Sequence, residues 1–208
     1  MEKKTKNKLF DIGELERSPG GQPADRSAVL ADNFLHQHNY RVQSLKQLTG
    51  RLPEQGEFFL IWTMKSFNAF TFIPYLIREL GRIDYLVLST YSINRRIIDS
   101  LIKKIVQEKI LHVKLFISDS IKYRMPKVVD HLHAVIDKHD NFTVHYAWNH
   151  SKITLVEAGE RFFCIEGSGN WSENAQHEQY VFFNDKRVYD FRMKCITDGL
   201  YRKTNTGN

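Results

Sequence analysis

Hydrophobic and polar positions along the chain change period repeatedly, and the changes divide it into elements. Within residues 28–48 the apolar positions Val29, Leu30, Phe34, Leu35, Val42, Leu45 and Leu48 recur at roughly helical spacing. Gly50 and Pro53 close the segment, which predicts one or two helices. Residues 58–64 (FFLIWTM) form a short continuous apolar run of the kind a buried strand gives, with Ser66 or Asn68 as cap for a helix running to Leu80. Residues 84–90 (DYLVLST) repeat the strand pattern, and helical periodicity follows over 94–109. A third strand at 111–117 and a helix at 125–138 come next, then a strand at 141–148. Residues 152–156 and 161–165 are rich in β-branched and aromatic side chains and predict a hairpin, with Ala158-Gly159 as its turn signal. A strand at 179–183 and a helix at 185–200 complete the pattern.

Strands that alternate with helices and then give way to a hairpin predict an α/β fold, a mixed β-sheet sandwiched between helices. Residues 1–25 are polar and basic, with Ser18-Pro19-Gly20-Gly21-Gln22-Pro23 as linker, and are expected to be a flexible head. A helical segment over 26–55 and a principal domain over 56–203 follow. With Glu157 and Glu160 flanking a two-residue turn, the hairpin register sets His150 opposite Gly167 and brings Ser168 and Asn170 beside it. His150 and Lys152, two apart on a strand, point the same way.

A chain of 208 residues accommodates one well-buried core. The net charge of +6 and pI near 9.2 favour polyanionic partners, nucleic acid ahead of an anionic membrane surface. Cys164 and Cys195 stand far apart with no Cys-x-x-Cys spacing, so neither a zinc site nor a disulfide framework is indicated and a reducing compartment fits. The basic amino terminus leads into no apolar stretch, and no later run has transmembrane length. The expectation is a cytoplasmic protein without stable membrane association.

The chemistry concentrates in two short motifs. His150-Ser151-Lys152 supplies a nucleophile and a cation; Gly167-Ser168-Gly169-Asn170 supplies hydrogen-bond donors suited to the oxygens of one phosphorus atom. Alone, either means little, since nine histidines make a chance His-x-Lys easy and Gly-Ser-Gly-Asn is commonly a turn. In order, and bracketing a hairpin that brings them together, they carry weight. His36-x-His38 and His131-x-His133 resemble metal pairs, but residues two apart diverge on a helix and no third ligand stands nearby, so no metal is assigned. Trp148 and Trp171 flank the two motifs and suit either base stacking or the core.

His-x-Lys, a strand, an acid, a second strand and Gly-Ser-x-Asn resemble the signature of the phospholipase D superfamily, and Asn170-Trp171-Ser172 through Glu178-Gln179-Tyr180 is similar to its continuation. The acid after His-x-Lys is usually Asp and is Glu157 here, with a longer interval to Gly167. Glu157 sits roughly 20 Å along the strand from His150, too far to join the chemistry. The resemblance implies a phospholipase D-like fold and a metal-independent phosphodiesterase that needs no cofactor. It implies catalytic roles for His150, Lys152, Ser168, Asn170 and Glu178. His150 is then the nucleophile that forms a phosphohistidine. Lys152 and Asn170 hold the phosphoryl oxygens, Ser168 positions the lysine or donates to the phosphate, and Glu178 orients His150. Gly167, Gly169, Trp171 and His177 are the candidates to line the substrate, His177 suiting equally the cap or decoration of a loop. Since the chain carries one motif copy where the family uses two, a homodimer is implied, the second His150 acting as general acid. Basic charge makes an endonuclease the leading expectation. The alternatives are an inactive nucleic-acid-binding module of the same fold and a phospholipid phosphodiesterase or transphosphatidylase.

Overall fold

The computed structural model describes residues 42–43, 45–63, 68–172 and 177–204. The chain separates into two units, Met1–His36 and Gln37–Asn208, and every described residue belongs to the second. The basic head expected over residues 1–25, most of the helical segment before Val42, the pair His36 and His38, and Ser66 all lie outside the described residues. Val42, Gln43 and residues 45–49 are helical, with Val42 and Leu45 buried.

The elements that follow are β1 (Glu57–Thr63), a 3-10 turn (Ala69–Thr71), α1 (Phe72–Leu80), β2 (Ile83–Thr90), α2 (Arg95–Val106), β3 (Ile110–Ser118), α3 (Ile121–Arg124), α4 (Pro126–Ile136), β4 (Phe142–Ala147), β5 (Ile153–Ala158), β6 (Arg161–Gly167), β7 (Glu178–Asn184) and α5 (Lys186–Thr204). Local chemistry explains their ends. The Asn94 side chain accepts the Ile97 N–H at 3.0 Å and starts α2, and Pro126 opens α4 where a missing N–H costs nothing. Asn68 does not cap α1 as its position suggests. Its carbonyl accepts the Thr71 N–H and founds the intervening 3-10 turn, and its side chain accepts from the Thr71 hydroxyl instead.

The seven strands form one mixed sheet in the order β1-β7-β6-β5-β2-β3-β4. β2, β3 and β4 run parallel, and β5, β6, β7 and β1 are joined antiparallel from β2 outward. On β2, β3, β5, β6 and β7 alternate residues enter different buried clusters. Leu86, Leu88, Val156 and Phe182 join a large core with α1, α2 and α4, while Val87, Leu155 and Cys164 join a smaller one with Tyr189 of α5. Each aliphatic side chain so buried contributes about 1.5–3 kcal/mol. Among the described residues, no helix is long and apolar enough to cross a membrane.

The hairpin register differs from the one expected. Ala158 pairs with Arg161, so the turn is Gly159-Glu160, and Lys152 rather than His150 falls opposite Gly167. Gly159 takes φ +58° at the first turn position, which glycine adopts without the penalty a side chain brings. The slip is two residues, and a strand repeats every two, so each side chain of β5 and β6 keeps its expected face, while His150 and Lys152, expected on the strand, lie just before it.

Candidate active site

Strand directions gather the site at one end of the sheet. β2, β3 and β4 finish there, β5 and β7 begin there, and β6 finishes there. It is therefore at the carboxyl ends of the parallel strands, beside the β2–β5 junction where the sheet changes from parallel to antiparallel, a position where α/β sheets open a crevice.

His150 stands exposed in the short link between β4 and β5, with its ring against that of Tyr91 at 4.8 Å between centroids. The Lys152 ammonium donates to the His150 carbonyl at 2.9 Å and lies 3.4 Å from its Nδ1. Burial lowers the Lys152 pKa, and the electrostatic influence of Glu178, followed by that of Tyr91, works against that shift. From the other motif, the Gly167 N–H donates to the Lys152 carbonyl at 3.2 Å, which joins the two motifs directly.

Glu178 is buried at the start of β7, with 3% of its surface exposed. Its carboxylate accepts a short hydrogen bond from the Ser168 hydroxyl, and Ser168 Oγ accepts the Gln179 N–H at 3.1 Å. Glu178, expected to orient His150, makes this bond with Ser168 and also acts electrostatically on Lys152. Gly167 and Gly169 are required by close approach. A Cβ on Gly169 would strike the Tyr180 hydroxyl, and one on Gly167 would strike the Gln179 carbonyl and the Tyr180 ring. Asn170 holds a buried Oδ1 with no hydrogen-bond partner among the described residues. A buried unmatched amide is costly unless something else completes it.

Trp171 and His177, both expected to line the substrate, are held by other parts of the fold. The Trp171 side chain is wholly buried, its indole N–H donating to Thr154 Oγ1 at 3.2 Å and its ring meeting Phe70 edge-on, so it supports the floor of the site from the core. His177 is exposed but turned to β1, stacked on Trp62 with Nδ1 3.0 Å from the Thr63 carbonyl. Trp148 is 86% exposed. The pair on α4 diverges as helical geometry requires, His131 reaching Asp99 and His133 reaching Tyr146.

Several neighbours of His150 were not singled out from sequence. Tyr91 follows β2 directly and carries the Arg124 guanidinium over its ring at 4.0 Å, a cation close to the site. Asn149 and Ser89 pack beneath His150. Their signal was available in principle, because residues just past the carboxyl ends of parallel strands face the crevice. Beside the site, a cleft of about 590 Å³ runs over the sheet face, walled by Leu60, Trp62, Ile153 and Val181, with Ser151 and Gln179 at its polar end.

No protein-family model matches the chain, and no curated protein matches it. Among solved structures it is similar to polyphosphate kinase from Porphyromonas gingivalis, with 15% identity, 83% of this chain and 29% of that one covered, and a TM-score of 0.48. It is also similar to phosphatidylserine synthase from Haemophilus influenzae Rd KW20, with 11% identity, coverage of 68% and 38%, and a TM-score of 0.46. A third is TrmBL2, an archaeal chromatin protein with a novel mode of DNA binding, at 12% identity, coverage of 80% and 61%, and a TM-score of 0.42. The chain spans less than two thirds of the length of each of these structures.

Proposed function

We propose that the chain is a metal-independent phosphodiesterase, an endonuclease that hydrolyses nucleic-acid phosphodiester bonds through a phosphohistidine in a site shared by two copies. The observation that carries this reading is the junction of the two motifs: an exposed imidazole, a lysine ammonium and a Ser168–Glu178 pair stand at one end of the sheet, joined through the Gly167–Lys152 hydrogen bond.

The chemistry follows from these groups. A neutral His150 attacks phosphorus, and the phosphorus–oxygen bond to the leaving group breaks as the phosphorus–nitrogen bond forms. Lys152 moves from the His150 carbonyl to a non-bridging oxygen, and Asn170 donates to another, neutralising the charge that grows there. His150 of the second copy gives its proton to the departing alkoxide, then takes one from the water that hydrolyses the phosphohistidine. Glu178 keeps Ser168 aimed and holds negative charge near Lys152. The net charge of +6 supports a polyanionic substrate.

Purified protein incubated in EDTA with plasmid, single-stranded DNA and RNA, beside His150→Ala, tests the reading. Cleavage by the wild type alone supports it, and no cleavage of any of the three across pH 5–9 sinks it. One observation favours a second substrate class. The apolar cleft beside Lys152, continued by exposed Phe58, Leu60 and Trp62 on β1, suits an acyl chain. Headgroup release from phospholipid vesicles without nuclease activity would replace nucleic acid with phospholipid and retain the same phosphohistidine.

A further inference from the structure

The side chain of Asn149 lies under the backbone that carries His150. Its Nδ2 donates to Ser89 Oγ at 2.9 Å and to the Phe116 carbonyl at 3.1 Å, with the Thr90 carbonyl at 3.4 Å. Its Oδ1 accepts both the Ser151 N–H at 2.9 Å and the Ser151 hydroxyl at 2.8 Å. Ser89 Oγ and Ser151 Oγ are 2.6 Å apart. Since Ser151 Oγ gives its proton to Asn149, Ser89 is the donor in that last bond. The three side chains close a circuit: Asn149 to Ser89, Ser89 to Ser151, Ser151 to Asn149. Each bond in such a ring polarises the next. The amide orientation is fixed as well, because turning it over would set its oxygen against two backbone carbonyls.

The placement of the circuit gives it a function. Ser89 and Thr90 end β2 and Phe116 lies near the end of β3, so both anchors belong to central strands with buried neighbours. Asn149 and Ser151 are the residues on either side of His150. Thr90 precedes Tyr91, the ring against which His150 rests. One amide thus ties the link bearing His150 to the link bearing its aromatic neighbour.

We propose that Asn149 is the positioning residue for the nucleophile, its amide clamping the chain on both sides of His150 to the ends of β2 and β3. The proposal rests on the assignment of His150 as nucleophile. A short link between two strands has backbone freedom that the strands themselves lack, and an imidazole that wanders by about 1 Å loses on the order of a hundredfold in attack rate. The clamp removes that freedom before substrate arrives.

Single-turnover formation of phosphohistidine, quenched in alkali to preserve it, separates positioning from a merely structural role, because amplitude counts competent sites and rate reports their geometry. Asn149→Ala and Asn149→Asp are expected to keep the full amplitude and the wild-type KM while the rate falls about tenfold to a hundredfold. Asn149→Asp keeps size and the acceptor for Ser151 but replaces the donor amide with a carboxylate facing carbonyls. Ser89→Ala, which opens the circuit with less disturbance, is expected to give a smaller loss in rate and covers the case in which Asn149 variants fail to fold. An unchanged rate in any folded Asn149 variant, or a loss confined to amplitude, overturns the proposal. If the wild type forms no phosphohistidine, the parent reading has failed, and imidazole nitrogen NMR still decides for Asn149. Broadened His150 signals in Asn149→Ala support the clamp, and unchanged signals overturn it.

Discussion

The Gly167 amide donates to the Lys152 carbonyl at 3.2 Å, and this rung holds the two halves of the candidate site side by side. The turn that fixes it is Gly159-Glu160, beyond the six residue pairs of the hairpin. Replacing Gly159 with valine forces a branched side chain into φ +58° and is expected to cost about 1–2 kcal/mol or more. Tm should fall while turnover per folded molecule holds. Glu157→Gln, at the same remote end, should likewise leave turnover unchanged in a steady-state assay.

Lys152 gives a pH signature. In the free protein burial lowers its pKa from 10.5, so the alkaline limb of kcat/KM is expected below pH 10.5. Lys152→Arg keeps a charge throughout and should move that limb upward at some cost in rate, measured as a kcat/KM profile across alkaline pH. The sign for stability is opposite to that for activity. A lysine whose folded pKa is lowered penalises the fold fully below that folded pKa, and the penalty disappears as pH rises through it toward 10.5. Lys152→Met should therefore raise Tm at neutral pH, with the gain fading in alkali, while abolishing turnover.

Glu178 and Ser168 are separable by charge. Glu178→Gln retains an acceptor for the Ser168 hydroxyl and should fold with near-native Tm, yet lower kcat by removing the negative charge beside Lys152. Glu178→Ala removes the charged acceptor of the Ser168 hydroxyl and should lose about 1.5–3 kcal/mol of stability besides. Thermal unfolding and kcat measured on both variants distinguish the contributions.

Gly169 and Tyr180 form a steric pair. Gly169→Ala puts a methyl against the Tyr180 hydroxyl and should damage both folding and turnover. Tyr180→Phe removes the offending oxygen, so the double variant should recover a substantial part of the loss, a coupling that a double-mutant cycle in Tm and kcat reads directly.

Much of this was legible because it depends on period. The α/β alternation, every strand later found in the sheet, and the pairing of the two motifs follow from runs such as residues 84–90 and 152–156, where burial dictates residue type. The register was expected two residues off, because a turn signal containing Gly159 does not say whether that glycine is first or second in the turn. The bond between Glu178 and Ser168, and the one that ties buried Trp171 to Thr154, depend on three-dimensional neighbours that no period in the sequence reveals. Asn149 has no periodic signature at all; its importance arises from Ser89 and Phe116, which only the sheet brings near it.

Sharing of the site between copies has its own test. Activity of mixtures of wild type with His150→Ala, after exchange of chains, should fall as the square of the wild-type fraction when both histidines serve one site. A linear decline would mean that each chain acts alone.

The sheet order has a kinetic consequence. β1 pairs with β7, the first strand with the last, and β2 with β5 across all of β3 and β4. Such distant pairings close late, since loop entropy is spent before they repay it. Ser168, Glu178 and Gln179 meet only when β7 has joined β6, whereas the parallel strands beneath Asn149 bring closer segments together. Phosphate affinity should thus emerge at the end of refolding, after most secondary structure is in place, and a nascent chain ending before β7 would carry His150 and Lys152 without the groups that complete the site.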